Sequence, residues 1–388
     1  VLAQARLTFS RRMQRSPDMA ATRSTMLPMR CRGCGGKTSS RVLSDVLNRL
    51  QHDQPNTNAN RDERSSGFLQ AEDAAILSSS AGPVNALTVD FFPAFTNDHW
   101  LTGRIAALHA LSDLYASGAQ PTAALAIVTL PEGDHQSQRD VLYQLLAGAT
   151  RELSADSVQL VGGHTIDGDE LAIGFCVAGR CSEASIIRKG RISVGQTLIL
   201  TKPLGTGVIL AAAALARAPA KAVQVALDMM LISNRLPDDF VSQFGITGMT
   251  DVTGFGLAGH LQEMLSPTGC CAELNPGQLP VLDGVMDLLR AGHRSSLNEE
   301  NWRNVAATTQ IQPANPVPPE GTELLRAVLC DPQTSGGLLV AVDSQHEPAA
   351  MERLGRHGLS PAVIGHILPP RSDGILIQVG GGDTCPTP

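Results

Sequence analysis

Apolar positions along the chain switch repeatedly between the 3.6-residue period of a helix and the two-residue period of a strand. Ser39 to Leu50 places Val42, Val46, Leu47 and Leu50 at helical spacing, and the polar run from Gln51 to Gly67 reads as a loop. Ala86 to Phe92 predicts a strand in which Thr88 and Asp90 share one face by alternation. His99 to Ser117 predicts a helix ending before Gly118, followed by a strand over 123–130, a helix over 139–154 and strands over 158–161 and 171–179. From Cys181 to Ser193 the chain turns polar, carries an Arg/Lys cluster and loses its period, which places a domain boundary there. The second half begins with a strand over 197–201 and a Pro203/Gly205 break. Helices from Val208 to Asn234, a helix over 257–265 and mixed elements as far as Val379 follow. Gly380-Gly381-Gly382 then opens an end expected to be disordered. The pattern predicts two α/β halves of similar size.

Composition narrows the function classes. The apolar fraction is 43% of 388 residues but aromatics are only 3%, so the core is built from Ala, Val, Leu and Ile, which suits helices packed on sheets. A net charge of −7 without a dense basic patch argues against nucleic acid as a partner. The longest apolar stretch, Val208 to Ile232, is broken by Arg217, Lys221 and Asp228, so no membrane span is expected. Eight cysteines in a chain of this length do not make a disulfide scaffold, and a reducing cytoplasm is the simplest compartment. Residues 1–28 carry five arginines against the single acid Asp18. They have the balance of a transit-like leader. Equally, they fit a linker or a start set too far upstream, and disorder is expected either way.

Candidate chemistry lies in three groups of residues. The turn Gly33-Cys34-Gly35-Gly36-Lys37 places a thiol three residues from a cation, within a backbone that glycines leave open to a bound group. Asp73, Asp90, Asp113 and Asp251 each sit at an element edge or in an apolar or glycine-rich setting. Singly, each is explained by a cap, an Asx turn or a solvated face. If they converge, their mutual repulsion requires a hard cation such as Mg²⁺, with substrate phosphates. The Gly162-Gly163-His164 cluster follows a predicted strand and can let phosphate approach the backbone, and Thr206-Gly207 can present free N–H groups to an anion. Asp331 to Gly337 precedes an apolar strand. GxxxxGK[ST] does not occur, which argues against an ordinary P-loop enzyme. The residues thus support a Mg²⁺-dependent enzyme acting on a phosphate compound with a thiol at hand.

Taken in order, these segments resemble the selenophosphate synthetase (selenide, water dikinase) family, in the superfamily of aminoimidazole ribonucleotide synthetase. The matching runs are Gly33–Lys37, Thr88–Phe92, Gly103–Asp113, Gly162–Asp167, Thr201–Gly205, Asp251–Gly256 with Gly259-His260, and Cys330–Leu338. The resemblance implies ATP-dependent conversion of hydrogen selenide to selenophosphate, with release of AMP and inorganic phosphate. It implies Cys34 and Lys37 as catalytic residues and Asp73, Asp113 and Asp251 as ligands of Mg²⁺. Lys37, Gln70, Ala71, Glu72, Asp90, Asp113, Gly162, Gly163 and His164 would contact ATP. The implied fold is two-domain α/β (α+β), with mixed sheets covered by helices. An N-terminal ATP- and metal-binding domain over 29–182 would pair across a homodimer, a C-terminal α/β domain would span 194–379, and a tail would follow over 380–388.

Two departures stand out. Gly36 occupies the place where many relatives carry a second cysteine, so Cys34 has no neighbour for a local CxC disulfide. His109 stands where the family often has asparagine, and an imidazole there can donate to phosphate and titrates near neutral pH. Two competing readings keep the fold. One is another ATP-using enzyme, such as a thiamine-monophosphate kinase or aminoimidazole ribonucleotide synthetase, and the other a paralogue that binds nucleotide without catalysis.

Overall fold

The computed structural model describes residues 32–33, 46, 72–77, 84–182, 185–312 and 319–380. Two mixed sheets organise the chain. The first has the order β1-β2-β5-β3-β4, formed by β1 (Ala75–Leu77), β2 (Val84–Pro93), β3 (Gln120–Pro131), β4 (Gln159–Gly168) and β5 (Ala172–Cys181). All of its pairs are antiparallel except β3 with β4.

Helices α1 (His99–Ala116) and α2 (His135–Ala155) cover one face of this sheet. Asp98 caps α1 by accepting the Leu101 amide at 2.8 Å. Asp134 caps α2 through the amides of Gln136 and Ser137, which explains why α2 begins before the predicted 139. The helices approach closely because two glycines meet at their crossing. A Cβ on Gly103 would lie 1.9 Å from Leu145 O, and one on Gly148 would lie 2.0 Å from Trp100 O. The other face of the sheet carries exposed Leu77, Val89, Phe91, Leu125 and Ile166.

The second sheet has the order β7-β10-β6-β11-β8-β12-β9, built from β6 (Gln196–Leu200), β7 (Gly248–Asp251), β8 (Cys271–Leu274), β9 (Thr309–Ile311), β10 (Leu338–Asp343), β11 (Ala362–Leu368) and β12 (Ile377–Val379). Helices lie on both faces. One layer holds α3 (Thr206–Ala214), α4 (Ala220–Met230), α6 (Gly256–Leu265), α7 (Val285–Arg290), α8 (Asn298–Val305) and α9 (Pro319–Leu329). The other holds α5 (Phe240–Gln243) and α10 (Glu347–Arg356). Burial on both faces accounts for the unbroken apolar runs of β6 and β10, in which Leu198 and Leu200 point to one layer and Ile199 to the other.

Helix α1 is shared between the two halves. Its Ile105 packs into the main core of the second sheet and its Ala116 into the smaller one, while most of its remaining apolar residues face the first sheet. Among the described residues no helix is long and apolar enough to cross a membrane.

Candidate active site

Alternation along β2 turns Thr88 and Asp90 inward, toward α1, and leaves Val89 and Phe91 outside. Asp113 faces Thr88 from α1, and the Thr88 hydroxyl donates to its carboxylate. Asp251 closes β7, paired with Leu338 of β10. Asp73 lies on the bend before β1, where its Oδ1 accepts from the Thr250 hydroxyl at 3.2 Å. One carboxylate oxygen from each of Asp73, Asp113 and Asp251 can be chosen so that all three lie within 4.8 Å of one another.

That proximity has an electrostatic cost. Burial, followed by the charges of Asp90, Asp251 and Asp73, pushes the Asp113 carboxyl well above the usual carboxylate range, with Thr88 acting weakly the other way. Asp73 is pushed up to about 8, chiefly by burial and despite the cation of Lys189. Asp251 is 1% exposed, and its Oδ2 has no hydrogen-bond partner among the described residues. Carboxylates held together in this way, one with a buried oxygen lacking a donor, fit a hard divalent cation.

Behind the cluster, the loop 331–337 is buried and bonded to several other segments of the chain. Ser335, in the left-handed conformation at φ 50°, donates its amide to His109 Nδ1 at 3.3 Å. That bond leaves the imidazole proton on Nε2, which faces Asp90 Oδ1 at 3.6 Å. Asn234 donates from Nδ2 both to Ser112 Oγ at 2.8 Å and to Gly336 O at 2.7 Å. Directly at His109, and through Asn234 at Ser112, the loop therefore holds the turn of α1 that leads up to Asp113. His109 is fully buried, and its ring nitrogens face groups of the protein itself.

Two family descriptions match the chain: "AIR synthase related protein, N-terminal domain" over residues 71–181 and "AIR synthase related protein, C-terminal domain" over 193–377. A selenide, water dikinase of Aeromonas salmonicida is 34% identical over 337 residues, which cover 86% of this chain and 92% of the relative. The same enzyme of Photorhabdus laumondii is 34% identical over 351 residues, covering 89% and 95%. The chain belongs to the selenide, water dikinase family.

Solved structures show the family's two-domain fold from a greater distance. The thiamine monophosphate kinase of Aquifex aeolicus superposes with a TM-score of 0.58 at 15% identity, covering 88% of this chain and 96% of that one. The hydrogenase maturation protein HypE superposes with a TM-score of 0.56 at 18% identity, covering 88% and 98%.

Of the residues that the family resemblance singles out, Cys34, Lys37, Gln70 and Ala71 lie outside the described residues. Glu72 faces inward, its Oε2 accepting the Lys189 amide at 3.2 Å and its Oε1 standing 3.7 Å from Arg188. Gly162, Gly163 and His164 are not in a loop after a strand. They lie within β4, and a Cβ on Gly163 would sit 2.2 Å from Ala126 O. The register runs Asp90, Phe175, Ala126, Gly163 across four strands, so Gly163 lies about 14 Å from Asp90. Gly162 and His164 fall in the rows of Leu125 and Ile127, on the face away from α1. Within a single chain Gly163 and Asp90 are too far apart to touch the same phosphate.

The helix-terminus expectation at Thr206-Gly207 is also corrected. The anion there belongs to the protein. Asp331 Oδ2 accepts the amides of Gly207 at 3.0 Å and Val208 at 3.2 Å, and Gln333 Oε1 accepts those of Gly205 and Thr206.

Two lysines escaped the sequence reading. Lys189 belongs to the Arg/Lys cluster of the linker, which resembles a solvated stretch, yet it is 5% exposed, with its ammonium 2.6 Å from Asp73. Lys202 is 1% exposed and donates to the carbonyls of Ile232 and Ser335, and burial pulls its ammonium down to about 7 against the opposing charge of Asp251. Its sequence signals are the position beside Pro203 at a strand end and a place in the Thr201–Gly205 run.

Proposed function

We propose that the Asp73–Asp113–Asp251 cluster is the phosphoryl-transfer centre at which this chain uses ATP, hydrogen selenide and water to make selenophosphate, with AMP and inorganic phosphate as the other products. The carrying observation is the convergence of the three carboxylates, with Asp251 Oδ2 lacking a partner among the described residues, in a chain of the selenide, water dikinase family.

Asp73, Asp113 and Asp251 would hold Mg²⁺. When bound, that ion neutralises the polyphosphate. The chain's own residues do the rest. Thr88 fixes the Asp113 carboxylate, and the loop 331–337, with Asn234, fixes the turn of α1 that leads up to it. Asp90 stands over the same site beside His109 as a nucleotide contact. We assign Cys34 to selenium delivery or orientation, and Lys37 to charge stabilisation at the transferred phosphoryl group. Gln70, Ala71 and Glu72 complete the nucleotide contacts.

Gly162, Gly163 and His164 meet ATP at a homodimer interface. The exposed apolar face of the first sheet, on which Gly162 and His164 lie, supports that arrangement. Domains over 29–182 and 194–379 working in the cytoplasm complete the proposal.

The deciding experiment incubates purified protein with ATP, Mg²⁺ and selenide under anaerobic conditions and follows AMP and selenophosphate by phosphorus NMR. AMP formation that requires selenide is expected. ATP turnover indifferent to selenide would overturn the assignment.

A further inference from the structure

Lys189 lies in the stretch joining the two sheets, and its ammonium sits 2.6 Å from Asp73 Oδ1 and 2.7 Å from Glu263 Oε2 on α6. Glu263 is in turn 3.4 Å from His260 Nδ1. One residue earlier, Arg188 stands beside Glu72, which also accepts the Lys189 amide. Two consecutive linker residues thus grip two consecutive residues of the segment leading into β1. Lys189 and Thr250 both bond to Oδ1 of Asp73, so its other oxygen stays available as a ligand. A buried ammonium held between two carboxylates is costly unless the arrangement is well fitted, and this one joins the N-terminal half to the C-terminal half at a member of the triad.

We infer that Lys189 is a positioning residue of the cation site: by tying Asp73 to Glu263 it holds one carboxylate of the triad where a divalent ion needs it. The inference rests on the cation-binding role proposed above for the three aspartates. Outer partners that orient ligands contribute about ten- to a hundredfold to metal affinity. A lysine that served folding alone would lower thermal stability without changing the affinity of the folded protein.

The test titrates the full chain with Mn²⁺, following free ion by electron paramagnetic resonance, alongside thermal melts. Lys189→Met is expected to weaken Mn²⁺ binding about tenfold. Lys189→Arg, which restores a cation, is expected to come back to within about threefold of the parent chain. Asp251→Asn separates the two ideas. If it binds Mn²⁺ like the parent, the triad is not a cation site and the inference falls with it. If Asp251→Asn loses the ion while Lys189→Met keeps the parent affinity, the inference alone is overturned. Should Lys189→Met give no cooperative melt, Glu263→Gln decides: weaker binding supports the anchoring role and unchanged binding overturns it.

Discussion

His109 Nε2 stands 3.6 Å from Asp90 Oδ1, while Nδ1 of the same ring accepts the amide of Ser335. One buried side chain therefore connects the first sheet to the loop that precedes β10. Replacing it with leucine leaves the Ser335 amide without its acceptor, at a cost of about 1–3 kcal/mol. Asparagine, whose side-chain oxygen can accept, should cost less. Urea unfolding of the two variants measures the difference. Equal losses would show that ring volume, rather than the bond, is what counts.

Asp251→Asn should separate activity from stability. It removes one of several repelling carboxylates without changing volume, so the melting temperature in Mg²⁺-free buffer should hold or rise. Turnover should fall about a hundredfold or more. A variant that melts lower yet turns over normally would contradict the role given to the cluster.

Asp331 provides a pH test away from the site. Burial pushes its carboxyl up to about 7 from the ordinary 3.8, against the pull of the Val208 and Gly207 amides and Gln333. The folded state therefore binds the proton more tightly than the unfolded chain. This contribution is complete below the ordinary value and is lost as pH rises toward the folded one. Asp331→Asn cannot ionise. Its melting temperature relative to the parent should climb between about pH 4 and about pH 7 and level off above that. A flat difference across that window would mean that Asp331 does not titrate there.

At the crossing of α1 and α2, Gly103→Ala or Gly148→Ala should destabilise by about 1–3 kcal/mol, because the added methyl meets backbone carbonyl oxygen rather than a movable side chain. Chemical denaturation measures this, and a neutral alanine at both positions would show that the helices can separate freely.

Cys34→Ser should abolish selenide-dependent AMP formation. Full activity in that variant would move the chemistry toward the thiol-free kinases that share the fold.

Much of this arrangement can be read in the sequence wherever the controlling forces are local. Thr88 and Asp90 declare their shared face by alternation, and α1 declares its end by Gly118, which takes a positive φ just after it. What escapes is set by contacts between distant segments. No local pattern distinguishes Lys189, buried against Asp73 and Glu263, from the solvated cations beside it. The amides of the first turn of α3 look free until Asp331, more than a hundred residues later, folds onto them. The extent of β4 was hidden because its exposed edge position gives no apolar alternation to follow. The aspartates were visible one by one, but their meeting belongs to the tertiary fold.

Helix α1 contributes to the cores of both sheets and is held by a loop from the second. The two halves therefore differ from beads on a string that can be cut apart and studied singly. Severing the chain near residue 183 would leave the first half with an unwrapped helix and the second with an unfilled cradle. Mixing separately expressed halves should restore what neither has alone, making the molecule a natural candidate for fragment complementation.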